Sequence, residues 1–207
     1  MGQFEFEFSS TMKEQLKENI IHIKGKMDDI LESLDQRDEC TLCKFEEIQK
    51  KLFEIQSTAA SYYLKAYLSP FTDSYIVITT AIQHLSSKRH GALIVVERND
   101  PVNPLIHPGT PIGGALSFSL IESIFYPGSP LHDGAVLVQG NQIVSAANVL
   151  PLSQSFYGER KLGTRHRAAL GLSEMSDALI LVVSEETGRT SFALDGTLYL
   201  FTPSYDM

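Results

Sequence analysis

The chain has 207 residues, 43% of them hydrophobic and 20% charged, with a formal net charge of -8, which suits a globular protein of one medium domain or a small one with an appendage. The acidic balance disfavours general binding to nucleic acid or anionic membranes, so no nucleic-acid partner is expected. No apolar run is long enough to span a bilayer, and the acidic, alternating start lacks the basic and apolar regions of a secretory signal, so no membrane association is expected and the cytoplasm is the expected compartment.

The first third reads as helix. Met12, Leu16, Ile20, Ile23, Met27, Ile30 and Leu34 recur at steps of three and four, one apolar stripe. Thr11 with Glu14 fits a capping box at its start. A second stripe runs through Phe45, Ile48, Leu52, Ile55, Ala59, Tyr62 and Ala66, and the polar stretch Asp35–Glu39 between them reads as a turn. An αα-hairpin is the natural arrangement. Cys40 and Cys43 form a Cys-x-x-Cys pair, but zinc needs about four ligands and no second pair exists. A redox motif should follow a strand, so plain structural thiols are the expectation.

Ser69-Pro70 marks a boundary, and a helix is expected from there to Lys88, ended by Lys88, Arg89, His90 and Gly91. Ala92–Glu97 reads as a buried strand and Leu116–Phe125 as a helix stopped by Pro127-Gly128. Ala135–Gln139 and Gln142–Ala146 flank Gly140-Asn141, a two-residue hairpin turn. Arg167–Met175 reads as helix and Ala178–Val183 as a second buried strand. Thr190–Leu194 and Thr197–Phe201 flank Asp195-Gly196, the strongest short hairpin signal. Hairpins mixed with helices imply an α/β fold of the α+β kind, a mixed sheet covered by helices. The division expected is a two-helix domain over residues 1–68 and a second domain over 69–207.

Chemistry concentrates in three clusters. From position 69 onward there are eight Lys and Arg residues, and Arg160, Lys161, Arg165 and Arg167 fall together. Gly163-Thr164 stands just before the second pair, at a helix start where backbone N–H groups and the helix dipole favour phosphate. The same cluster is equally compatible with a solvated basic turn. Ser129-Pro130-Leu131-His132-Asp133-Gly134-Ala135 precedes a strand. Its His132 and Asp133 suit metal coordination or hydroxyl positioning, and also fit an ordinary Asp-Gly turn. Ser184-Glu185-Glu186-Thr187-Gly188 follows a strand and suits a metal, a ribose hydroxyl or a plain polar turn. No P-loop and no G-x-G-x-x-G occurs.

Taken together, Gly91–Val96, Ser129–Ala135, Leu150-Pro151-Leu152, Leu162–Ala169 and Val183–Gly188 resemble, in order and spacing, the diadenylate cyclase (DAC) domain. The resemblance covers about residues 70–207, and the soluble helical pair before it resembles the sporulation-associated CdaS type of that family. It implies condensation of two ATP molecules into the second messenger cyclic di-AMP with release of two pyrophosphates. It further implies a regulatory helical domain and a homo-oligomer (a hexamer being one such size) whose catalytic faces pair. By the same resemblance Asp133 would assist the attacking hydroxyl, Gly134 and Ala135 would line the nucleotide, and Leu150 would sit at the adenine. Gly163, Thr164, Arg165, His166 and Arg167 would hold phosphates, with Ser184 and Glu186 as further contacts. His132, Asp133 and Glu186 are the candidate ligands for Mg²⁺ or Mn²⁺. A nucleotide-binding sensor without turnover and a structural partner protein are the competing readings.

Overall fold

The computed structural model describes residues 9–34, 40–154 and 162–203. The expected turn at Asp35–Glu39 and the basic residues Arg160 and Lys161 lie outside them. The chain divides into two compact units, Met1–Ala59 and Ala60–Met207.

The first unit pairs helix α1 (Ser10–Ser33) with the first part of α2 (Thr41–Leu68). Ile23 and Ile30 pack with Ile48 and Ile55, and Leu16 extends the seam. Spacings of seven put these residues on one face of each helix. Lys26 pairs with Glu47, and Lys44 Nζ donates to Ser33 Oγ at 2.9 Å, so the two helices run antiparallel. The stripes are only half used: Ile20, Met27, Leu34, Phe45 and Leu52 are exposed. Capping also differs from expectation. Ser9, rather than Thr11, accepts the N–H of Met12 at 3.3 Å, because Thr11 already lies inside the first turn. Cys40 and Cys43 form a disulfide where free thiols were expected. The first turn of α2 brings the two sulfurs to the same side of the helix start.

The second unit is a seven-stranded mixed sheet of order β2-β4-β3-β1-β5-β6-β7 among the described residues. The strands are β1 (Ala92–Val96), β2 (Thr110–Ala115), β3 (Ala135–Gln139), β4 (Gln142–Asn148), β5 (Leu179–Val183), β6 (Thr190–Leu194) and β7 (Thr197–Phe201). Only β1 and β3 pair in parallel; every other neighbour is antiparallel. Strands β1 and β5 are buried along their whole length, because helices cover both faces. On one face Ile94, Val96, Val136, Leu181 and Val183 meet α3 (Tyr75–Lys88), α4 (Phe118–Phe125) and the last turns of α2 through Ala60, Leu64 and Leu68. On the other face Leu93, Val95, Leu137, Ile180 and Val182 meet α5 (Thr164–Ser173) through Ala168, Ala169 and Leu172. Each such fully buried aliphatic side chain contributes about 1.5–3 kcal/mol.

Three boundaries depart from expectation. Ser69-Pro70 ends α2 instead of starting α3, which begins at Tyr75. The intervening turn is organised by Asn141, whose Oδ1 accepts from Thr72 Oγ1 at 2.8 Å, Asp73 N–H at 3.0 Å and Ser74 Oγ at 3.2 Å. Strand β2 was not expected, and Pro111, Gly113 and Gly114 are residues that disfavour strand interiors. It forms at the sheet edge, where proline is tolerated, and its register shifts between Pro111 and Gly114. Helix α5 starts at Thr164, so Arg165 and Arg167 stand in its first turns.

Candidate active site

The sheet topology decides which loops meet. β1 runs parallel to β3 and antiparallel to β5, with Ala92 paired to Val183, while β3 runs antiparallel to β4, with Ala135 paired to Asn148. The starts of β1 and β3 and the ends of β4 and β5 therefore share one end of the sheet. Gly91, the turn Asp133-Gly134, the segment Val149–Leu152 and the loop Ser184–Gly188 all emerge there. Helix α5 presents its N-terminus at the same end, because Arg165 Nη1 reaches Glu185 Oε2 at 2.8 Å. The described parts of the three clusters singled out in the sequence, from Ser129 to Gly188, are thus gathered onto one edge.

Each element positions its side chains by a local device. Gly134 has φ of +109°, and a Cβ there would stand 2.8 Å from Ala147 C and Asn148 O, so only glycine lets the turn lie against the end of β4. The Ser129 hydroxyl accepts the Leu131 N–H at 3.3 Å and closes the loop upstream. The His132 ring is fixed by a short hydrogen bond from Nδ1 to the Ser129 carbonyl. A carbonyl can only accept, so Nδ1 carries the proton and Nε2 is the nitrogen left with a lone pair in the neutral ring. Asp133 itself is exposed.

At α5 the first intrahelical bond runs from Arg167 N–H to Gly163 O at 3.1 Å. The N–H groups of the preceding turn have no partner within the helix and point out of its end. Thr164 is exposed beside them. Arg165 is confined: its guanidinium crosses Gly91, pairs with Glu185, and buries Nε without a hydrogen-bond partner among the described residues. Arg167 is exposed and turns back so that Nη2 donates to the Ser153 carbonyl at 3.3 Å. Burial pushes the pKa of His166 below its ordinary value of 6.5, with the Glu186 carboxylate opposing that shift. The imidazole is therefore neutral near pH 7 and acts as a hydrogen-bonding group rather than a fixed charge. Gly171 presses α5 onto the Leu150–Ser153 segment: a Cβ there would fall 2.3 Å from Pro151 O. Leu150 is buried beneath α5, and Ser184 and Glu186 lie on the loop after β5.

Among the described residues, no group of three His, Cys, Asp or Glu side chains is placed to hold a metal ion. His132, Asp133 and Glu186 do not form a closed protein cage, but one imidazole nitrogen with fixed tautomer beside an exposed carboxylate suits a cation bound mainly through phosphate and water.

Sequence reasoning missed three participants in this geometry. Gly91 provides room for a guanidinium, Glu185 pairs with it, and the buried Asn148 ties the ends of β3 and β4. Gly91 and Glu185 lie in stretches that the sequence singles out, but their roles, like that of Asn148, depend on contacts that only folding makes.

Two family models match the chain. One, described as the DisA bacterial checkpoint controller nucleotide-binding family, matches residues 79–198. The other, described as the diadenylate cyclase CdaS N-terminal family, matches residues 5–71. The chain is 58% identical to the diadenylate cyclase CdaS of Bacillus thuringiensis over 94% of this chain and 97% of that one. It is 50% identical to the cyclic di-AMP synthase CdaS of Bacillus subtilis over 92% and 91%. A crystal structure from Bacillus cereus, described as a hypothetical membrane spanning protein, superposes with a TM-score of 0.78 at 58% identity, covering 93% of this chain and 94% of that one. In the chain described above, no helix among the described residues is long and apolar enough to cross a membrane.

Proposed function

The chain belongs to the diadenylate cyclase family and catalyses the condensation of two ATP into cyclic di-AMP and two pyrophosphates, and from that premise we propose how its own residues divide the work. The observation that carries the assignment is the convergence of the Asp133-Gly134-Ala135 turn, the α5 N-terminus and the Ser184–Gly188 loop on one exposed end of the sheet.

One such edge holds one nucleotide. The triphosphate lies at the α5 N-terminus, where unpaired N–H groups, Thr164, Arg165 and Arg167 offset its charge and His166 donates as a neutral ring. Gly134 and Ala135 let the backbone approach the nucleotide, and Leu150 sits at the base. The 3′-hydroxyl oxygen of one ATP attacks the α-phosphorus of the other, the bond from that phosphorus to the bridging α,β-oxygen breaks, and pyrophosphate leaves. Asp133 takes the hydroxyl proton. Mg²⁺ or Mn²⁺ fits this edge, held by His132, Asp133 and Glu186 together with phosphate oxygens, and would neutralise phosphate charge. Ser184 is a further phosphate contact.

Two copies must face each other for the reaction to close the ring, which makes the enzyme a homo-oligomer. The exposed apolar side chains of the first unit, including Ile20, Leu31 and Phe45, support assembly through the helical pair, and that assembly controls how often catalytic faces meet. Purified protein incubated with ATP and Mn²⁺ is expected to form cyclic di-AMP, and Asp133→Asn to retain ATP binding while losing at least about 10²-fold in rate. An Asp133→Asn enzyme turning over at the wild-type rate would remove Asp133 from the chemistry.

A further inference from the structure

We propose that Asn148 is a positioning residue for the turn that carries Asp133. The inference rests on the role given to Asp133 above. Asn148 is 1% exposed, at the end of β4. Its Nδ2 donates to the Ala135 carbonyl at 2.8 Å. Its Oδ1 accepts the Gly109 N–H at 2.9 Å and the Ser145 hydroxyl at 2.9 Å. The donor set permits only this orientation, because a flipped amide would set N–H against N–H at Gly109 and oxygen against oxygen at Ala135.

The sheet secures this end of β3 only in part: Val136 pairs with Ile94 and Ala135 with Asn148, but the β3–β4 ladder is irregular beyond them. The β3–β4 register shifts twice, between Ala135 and Leu137 and between Leu137 and Val138, so the regular ladder is interrupted just after the turn. Ala147, adjacent to Asn148, has φ of +57°, a conformation uncommon for a residue with a Cβ. The Asn148 amide adds one directed side-chain bond to the Ala135 carbonyl beside this irregularity. Gly134, immediately before it, lies against Ala147 and Asn148, as its 2.8 Å virtual-Cβ distances show. The carboxylate of Asp133 projects from the residue before that. Asn148 therefore acts on the reacting carboxylate through two peptide units. It makes no described hydrogen bond to α5, where the phosphates are held, so its effect falls mainly on turnover, with a smaller effect on ATP affinity through Gly134 and Ala135.

The test is Asn148→Asp, which keeps the shape and turns the one donor into an acceptor facing the Ala135 carbonyl, with Ser145→Ala as a milder variant that withdraws one support of the amide. Cyclic di-AMP formation at saturating ATP gives kcat, titration with ATP gives Kd, and thermal denaturation gives the folded fraction. For Asn148→Asp the expected result is a loss of about 10–10²-fold in kcat with Kd within about threefold, as a displacement on the 1 Å scale produces. For Ser145→Ala the expected loss in kcat is about 3–10-fold in a fully folded protein. If Asn148→Asp does not fold, the Ser145→Ala result decides. A kcat within about twofold of wild type in a folded variant overturns the proposal, as does a loss confined to Kd or equal to the loss of folded protein. Asp133→Asn in the same assay is the control for the underlying reading: wild-type turnover by Asp133→Asn refutes that reading, whereas a loss there with indifferent Asn148→Asp and Ser145→Ala refutes only the role of Asn148.

Discussion

Replacing Gly91 by alanine separates the placement of Arg165 from the stability of the fold. The added Cβ would stand 2.4 Å from Arg165 Nη1, 2.8 Å from Cζ and 3.1 Å from Glu185 Cβ. Ordinary contact begins at 3.4 Å, so the guanidinium must retreat by 3.4 − 2.4, or about 1.0 Å. Both clashing Arg165 atoms are the far end of a side chain that can rotate, so the retreat strains little else. The ion pair it disturbs joins Arg165 to a Glu185 side chain that is 68% exposed, worth about 0–1 kcal/mol. Alanine opposes that loss by restricting the unfolded chain, by about 0.4–1 kcal/mol. The two nearly cancel, and a residual of about 1 kcal/mol moves Tm by about 2–4 °C at this chain length. On the proposed role of Arg165 at the phosphates, a displacement of about 1 Å costs far more in rate, about 10–10²-fold. The expected result is a Tm within about 4 °C of wild type and a kcat/KM reduced by about 10–10²-fold, read by thermal denaturation and by chromatography of the cyclic product. Activity within about threefold of wild type would show that Gly91 does not set the position of Arg165. Gly134→Ala is the opposite case. Its φ of +109° and backbone neighbours at 2.8 Å leave nothing that can rotate away, so about 2–4 kcal/mol and about 4–16 °C in Tm are expected to be lost.

Asn141→Ala removes the acceptor shared by Thr72, Asp73 and Ser74 and should lower Tm by about 2–8 °C, a cost of about 1–2 kcal/mol, while leaving the rate per folded enzyme unchanged. Asp177 gives a pH dependence. Burial raises its carboxyl pKa, but hydrogen bonds from Asp100 N–H and from the Asn99 side chain and N–H, with Arg98 nearby, outweigh burial and hold it below the ordinary 3.8. A lowered native pKa means stability present above the ordinary value and lost as pH falls through the native one. Asp177→Asn is therefore expected to lower Tm at pH 7 and to flatten the acid limb below about pH 4; an acid limb parallel to wild type would contradict it.

Much of the fold was legible because its signals are local. The Gly140-Asn141 turn and the Asp195-Gly196 turn, with φ of 48° and 69° in the latter, announce hairpins whatever surrounds them. Unbroken apolar runs at β1 and β5 announce strands covered on both faces. Where local signals conflicted with tertiary placement, expectation failed. β2 carries no strand signal of its own, and only its edge position makes its proline harmless. Ser69-Pro70 reads as a helix start until Asn141, from the hairpin, organises the residues that follow. In the first unit, apolar stripes of equal strength gave no indication that Ile23 and Ile30 would be buried while Ile20 and Met27 stayed exposed.

The residue types at the candidate site, the elements that bear them and the family itself were determined by sequence alone, since motif order and turn chemistry depend only on neighbours along the chain. Their meeting was decided by the sheet order. Parallel pairing of β1 with β3 and antiparallel pairing of β1 with β5 bring Asp133, Gly91 and Glu185 to one end, and α5 packs there so that Arg165 can cross Gly91. The roles of Gly91, Glu185 and Asn148 exist only in that arrangement, because a steric gap, an ion pair and a three-way hydrogen bond each require at least one partner from a distant segment that only folding brings within a few ångströms.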